Sequence, residues 1–160
     1  MVAGELLNRT TTETFALDSY QNLLFSLLRF RELASSWPEH VTVVSYAFKK
    51  ERFVELHRAA IRWPLERFTF VGIDPPWDSG REMKAVMEGE RANAASLWER
   101  DPYACAQESG LRAKRRGRNM GRRRGYVLEG VERSVRDLVG WCREGGGRGK
   151  VFGKRLPWDQ

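Results

Sequence analysis

Between Glu13 and Ser26 the chain sets acidic, hydroxyl and amide side chains at short intervals ahead of an apolar run: Glu13-Thr-Phe-Ala-Leu-Asp18-Ser19-Tyr-Gln-Asn22, then Leu23-Leu-Phe-Ser26. Asp18 or Ser19 is placed to cap a helix, its side-chain oxygen holding free backbone N–H groups of the first turn. The donors left over in that turn, at the positive end of the helix dipole, suit an anionic group. Glu13 and Asn22 are the other polar candidates in the cluster. Read blandly, the same residues make a well-capped helix and nothing more. A second set follows the two best strand sequences: Ser45, Tyr46, Lys49 and Arg52 after the first, and Asp74 after the second. Ligands of open α/β sheets bind outside the carboxyl ends of the strands, which is where these residues fall.

The elements that must position these groups read as α/β. Leu17, Tyr20, Leu23, Leu24, Leu27, Leu28 and Leu33 recur at three- and four-residue steps, giving a long helix over Leu17 to Ala34 with one apolar face. Trp37-Pro38 ends it, because the residue before proline avoids the helical region. Val41-Thr-Val-Val-Ser45 is short and β-branched, a buried strand. A helix over about Lys49 to Ile61 follows, with Phe53, Leu56 and Ala60 inward and Arg52, Glu55 and Arg58 outward. Phe68-Thr-Phe-Val-Gly-Ile73 is the second strand, stopped by Asp74-Pro75-Pro76. Strand, helix, strand in that order predicts a parallel crossover unit. Asp78-Ser79 caps a third helix packing Met83, Val86, Met87, Ala94, Leu97 and Trp98. A last helix spans Val131 to Cys142. Gly145-Gly-Gly147 is a flexible break, and Leu156-Pro-Trp158 docks the tail.

At 160 residues, 41% hydrophobic and 31% charged, the chain has the composition of one ordinary globular domain. No stretch reaches the roughly 18 apolar residues of a membrane span, so no membrane role is expected and a cytoplasmic protein is the default, with a nuclear one as alternative. The net charge of +7 is local: Arg112, Lys114, Arg115, Arg116, Arg118, Arg122, Arg123 and Arg124 supply eight positive charges in a segment without acids, and the rest is near neutral. A basic flexible segment at 111–125 is expected, its glycines favouring a solvated loop. An electrostatic contact with an acidic partner, or nucleic acid through Arg112 to Arg124, is the functional alternative. Cys105 and Cys142 make no metal motif and read as two reduced thiols, with a disulfide as the alternative. His40 and His57 have no nucleophile beside them in sequence, and no GxSxG, P-loop, GxGxxG or HExxH occurs. Enzyme status is therefore left open.

Three blocks carry a family resemblance. Glu13, Asp18-Ser19 and Gln21-Asn22 lie at the spacing at which the domain of unknown function 218 (the YdcF-like family) carries a Glu, an Asn-Thr pair and a Glu-Asn pair, with Ala16 in place of a family serine. Val41 to Arg52 resembles the family's strand, Thr-Ser turn and Phe-His-x-x-Arg helix start: Phe48 and Arg52 match, and Lys49 replaces the histidine. Phe68-Thr-Phe-Val-Gly-Ile-Asp-Pro-Pro76, Asp101-Pro-Tyr-Ala-Cys105, Trp141-Cys142 and Leu156-Pro-Trp-Asp159 are similar to its fungal branch. The resemblance implies a single domain over 9–160, a partial Rossmann-like three-layer fold with a short parallel sheet flanked by helices. It lacks the strand, Gly-rich loop and second strand with which members begin. It implies a nucleotide-like ligand of the S-adenosylmethionine type held by Glu13, Asp18, Ser19, Asn22, Ser45, Arg52 and Asp74. The alternative is an enzyme acting on an anionic metabolite, with Asp74 or Glu13 as acid/base and Arg52 holding the anion. A further expectation is that the long helix leaves its apolar face bare where the two strands would lie, so that the chain is marginally stable or self-associates.

Overall fold

In a computed structural model of the chain, residues 8–76, 80–118, 126–143 and 149–159 are described. Helix α1, Ser19–Ala34, starts where Asp18 leaves the helical region and accepts a hydrogen bond from the Gln21 N–H at 2.9 Å. It stops at Ser35, which takes a left-handed conformation with φ of 55°. Tyr20, Leu23, Leu24, Phe25, Leu27 and Leu28 are buried along its length, the three- and four-residue repeat of an amphipathic helix. Strand β1, Val41–Ser45, pairs in parallel with β2, Phe68–Gly72, in a register running from Val41 opposite Phe68 to Ser45 opposite Gly72.

A parallel pair needs a crossover. Here it is a 3₁₀ turn, Ala47–Lys49, then helix α2, which is a wide π turn over Arg52–His57 running into Arg58–Ala60. Helix α3 begins at Gly80–Glu90, widens over Arg91–Ala95 and ends as Ser96–Arg100. Helices α4, Gly110–Arg118, and α5, Arg133–Val139, complete the described elements. The Asp78-Ser79 cap, Arg122 to Arg124 and the glycines at 145–147 lie outside the described residues.

The chain is thus mixed α/β with a two-stranded parallel sheet, and five expectations need correction. Among the described residues the helices cover one face of the sheet, not two. Successive strand residues point to opposite faces, so Val41, Val43, Phe68 and Phe70 meet the core while Val44 and Val71 stay 63% and 40% exposed. The bare apolar surface therefore lies on the sheet and, on α1, at Phe30 and Leu33 alone, 44% and 58% exposed; the rest of the α1 stripe is covered, its Tyr20 packing against Trp98 and Tyr103 with ring centroids 5.9 and 5.7 Å apart. Met83 and Met87 are exposed, and α3 buries mainly its last part, Ala95 and Trp98. Where a solvated loop is expected from residue 111, α4 forms. Arg112 donates to the Cys105 carbonyl at 2.9 Å, Lys114 to that of Asn93 at 2.8 Å and Arg118 to that of Leu17 at 2.7 Å. Finally, Cys105 and Cys142 form a disulfide. Asp101 bends the chain by accepting from the Cys105 and Ala106 N–H groups at 2.8 and 3.1 Å. That turn carries Cys105 to the end of α5, with the two Cα atoms 4.9 Å apart, within disulfide reach.

The tail docks as its sequence suggests. Leu156 and Trp158 are each 1% exposed, and Trp158 packs on Trp63 with centroids 5.3 Å apart. Both indoles are satisfied: Trp63 Nε1 donates to the Arg67 carbonyl and Trp158 Nε1 to that of Ile61, each at 2.9 Å.

Candidate functional site

The first turn of α1 opens on a cavity of about 310 Å³. Four elements build it. Asp18 and Ser19 come from the α1 start, and Lys49 and Arg52 from the segment leaving the carboxyl end of β1. Glu90, Ala94 and Trp98 come from α3, and Leu111, Lys114 and Arg118 from α4. Four cations thus face two carboxylates, over an apolar floor of Ala94, Trp98 and Leu111. One carboxylate is already neutralised from outside the cavity: Asp18 caps α1 with one oxygen and is ion-paired through the other with Arg115 Nε. The other, Glu90, sits 3.1 Å from Arg52 Nε, both side chains mostly buried. Burial pushes the Arg52 guanidinium below its ordinary value, and the Glu90 carboxylate partly offsets this. The net field in the cavity is positive, and the dipole of α1 adds to it.

Ser19 is held from behind. Its hydroxyl shares a 2.8 Å hydrogen bond with His57 Nε2. His57 is fully buried among Phe53, Trp98 and Tyr20, with ring centroids 5.4, 4.7 and 6.0 Å away. Burial, reinforced by the nearby Arg52 and Arg115 charges, drives its pKa well below the usual imidazole value, so the ring is neutral at physiological pH. Its Nδ1 has no hydrogen-bond partner among the described residues.

Of the seven residues that the resemblance assigns to a ligand, Asp18, Ser19 and Arg52 meet in this cavity and four do not, while Lys49, singled out beside Arg52, lines it as well. Glu13 lines a separate cavity of about 330 Å³ beside Arg29 and Tyr126, and its carboxylate accepts from the Phe15 and Ala16 N–H groups, shaping the approach to α1. Asn22 is exposed on α1. Ser45 ends β1, its carbonyl accepting from the Ile73 N–H at 2.8 Å. Asp74 accepts from the Ala47 N–H at 2.8 Å, pinning the turn after β1 to the end of β2.

His57, Glu90 and Trp98 belong to the candidate site and were not singled out from sequence. The turn in α2 explains the first. At 3.6 residues per turn, Arg52 and His57 stand about 140° apart around a helix, and Arg52 faces solvent. The wide turn over Arg52–His57 shifts that register, so that Arg52 swings inward to Glu90 while His57 reaches Ser19. Lys114 and Arg118 belong to the basic run that the sequence offers to an acidic partner; four residues apart, they share one face of α4 and line the cavity together.

Over 144 residues the chain is 33% identical to the uncharacterised protein YOR238W of Saccharomyces cerevisiae, a match that takes in 86% of this chain and 44% of the relative. The chain therefore spans less than half the length of that relative. No family profile matches the chain, and no solved structure matches it.

Proposed function

We infer that the chain binds a small nucleotide-like anion in the cavity between α1, α2, α3 and α4, with phosphate-bearing nucleotides favoured over S-adenosylmethionine. The observation that carries this reading is the joint placement of Asp18, Ser19 and Arg52 with Lys49, Lys114 and Arg118 around one space of about 310 Å³. That volume is at the small end of ligand pockets, and a positive rim over an apolar floor suits an anionic group attached to a flat apolar one. Lys49, Lys114 and Arg118 would bind the anion, Ser19 would donate or accept one hydrogen bond, and Trp98 and Leu111 would support the base. A sulfonium centre suits this rim less well than a phosphate, although Asp18 and Glu90 offer carboxylates to an amino group.

Binding is favoured over catalysis by the state of the groups that would do the chemistry. The Ser19–His57 pair has the reach of a nucleophile and its base. A base must accept the proton, however, and an imidazolium buried beside Arg52 and Arg115 is strongly disfavoured. His57 is better read as holding the Ser19 hydroxyl in place. Asp74, the other acid/base candidate, is engaged by a backbone N–H outside the cavity.

The test is a thermal melt of the chain with ATP, AMP, inorganic phosphate, S-adenosylmethionine and its demethylated product, repeated on Lys114→Ala/Arg118→Ala. At about 100 times its dissociation constant, a ligand specific to the folded form adds roughly 2.7 kcal/mol, a shift of several degrees. A nucleotide shift that the double variant loses is the expected result. Unshifted melts with every probe would remove the reading, and a shift with S-adenosylmethionine alone would reverse the ligand preference.

A further inference from the structure

Cys105 and Cys142 are the only cysteines of the chain, and their disulfide lies near the surface beside α4. Cys142 is exposed beyond the end of α5 and Cys105 is half-buried. A disulfide in an exposed place is the labile, exchangeable kind, unlike one sealed in a core. With no third cysteine in the chain, exchange needs a thiol from outside. The surroundings are cationic. Arg112 donates to the Cys105 carbonyl at 2.9 Å, Arg115 to that of Tyr103 at 2.8 Å, and Arg143, next to Cys142 in the chain, is exposed. The Asp101 carboxylate in the same turn is taken up by the Cys105 and Ala106 N–H groups. Positive charge favours the thiolate that exchange releases.

What the bond holds is α4. The turn that follows Asp101 presents two carbonyls, of Tyr103 and Cys105, and each accepts from an arginine of α4. The disulfide ties that turn to the end of α5, and α4 lies inside the loop it closes between residues 37 apart. The same helix brings Lys114 and Arg118 to the nucleotide cavity. We propose that the Cys105–Cys142 disulfide is a redox switch that sets how firmly α4 is held and, resting on the reading of that cavity as an anion site, how tightly nucleotide binds. The reductant is a dithiol. One of its thiolates attacks Cys142 Sγ, the S–S bond breaks, and Cys105 leaves as a thiolate that takes up a proton. The second thiol of the reductant then displaces the mixed disulfide, which leaves Cys142 reduced and the dithiol oxidised by two electrons to its own disulfide. Lys114 keeps its bond to the Asn93 carbonyl, Arg118 its bond to that of Leu17, and Arg115 its ion pair with Asp18. The effect is therefore a graded loosening of α4 and not unfolding.

The test compares the oxidised chain with the chain treated with dithiothreitol. Maleimide labelling read by mass should show both cysteines freed without denaturant. Amide exchange across α4 should then quicken about tenfold, while the amides around Trp63 and Trp158 keep their protection. ATP affinity, measured by calorimetry on each form, should fall about fivefold on reduction and return on reoxidation. Cys105→Ser/Cys142→Ser should match the reduced chain and ignore dithiothreitol. A disulfide that opens only in denaturant, a reduced chain with no cooperative melt, α4 exchange unaltered by reduction, or ATP bound equally by both forms would each overturn the proposal. If neither form binds ATP, the reading of the cavity falls by itself, and the α4 exchange alone decides the switch.

Discussion

The two ends of the core follow opposite rules. Where the tail closes over α2, Trp63 and Trp158 are buried with both indole donors satisfied, and Arg67 reaches the Glu39 and Pro38 carbonyls at 2.6 and 3.0 Å. At the first turn of α1, by contrast, His57, Tyr20 and Arg115 each keep a buried polar atom without a hydrogen bond among the described residues, and Arg52 is ion-paired with Glu90 in a mostly buried place. The first region is what a sequence does to be stable. Perturbed and under-satisfied groups gather at functional sites, which is what marks the second region as the candidate. Substitutions in the two regions should therefore differ in kind, with large losses and no ligand effect in one, and smaller or even favourable changes with a ligand effect in the other.

The largest effect is expected from Trp158→Ala. Removing a fully buried indole costs about 3–5 kcal/mol, a large fraction of the total stability of a domain this size, and a denaturant midpoint should fall accordingly. A loss under 1 kcal/mol would mean that the tail is not part of the cooperative core. Next comes Arg52→Leu, which strands the Glu90 carboxylate in a mostly buried place and should cost about 3 kcal/mol. The double variant Arg52→Leu/Glu90→Leu should recover most of that loss while abolishing the nucleotide shift. If the double variant is as unstable as the single, the pair is structural and the contrast between the regions fails at this point.

Between the two lies the β1–α2 turn. A Cβ on Gly72 would stand 2.7 Å from both Ala47 Cα and Cβ, too close for backbone to accommodate without moving. Gly72→Ala should thus cost about 2 kcal/mol, in the range of overpacked sites. It should also shift Lys49, two residues beyond Ala47, and so weaken nucleotide binding beyond what stability explains. Equal affinity in Gly72→Ala would separate the turn from the site.

These regions also differ in how far the sequence foretold them. The α1 stripe, both strands and the docked tail were legible because a 3.6-residue apolar period, short β-branched or aromatic runs and a Leu-Pro-Trp ending are local signals, although β1, read as buried, is covered on one face only. Asp18, Ser19 and Arg52 were legible as candidates through cap chemistry and family-like spacing. What was not legible depends on non-local closure. The Cys105–Cys142 disulfide needs the Asp101 turn to bring together residues 37 apart. The inward Arg52 needs a π turn that a 3.6-residue wheel cannot show. Asp74 fell at the right strand end, but its carboxylate found a nearer donor in the Ala47 N–H.

The smallest and most specific effect is a pH dependence located in His57. In the folded chain the ring is neutral because burial, and then Arg52 and Arg115, hold its pKa well below 6.5. In the unfolded chain it titrates near 6.5. Above that value neither state binds the proton, so His57 contributes no slope. As pH falls below it, the unfolded chain takes up a proton that the folded chain refuses, and stability drops by up to about 1.4 kcal/mol per pH unit until the folded pKa is reached. Urea midpoints of wild type and His57→Gln between pH 7.5 and 5.5 isolate this contribution, because exposed groups are common to both. A slope confined to the wild type confirms that the Ser19 hydroxyl is held by a neutral imidazole. Identical slopes would mean that the ring accepts a proton in the folded state, which would restore His57 as a base for Ser19 and move the α1 end of the molecule from binding toward catalysis.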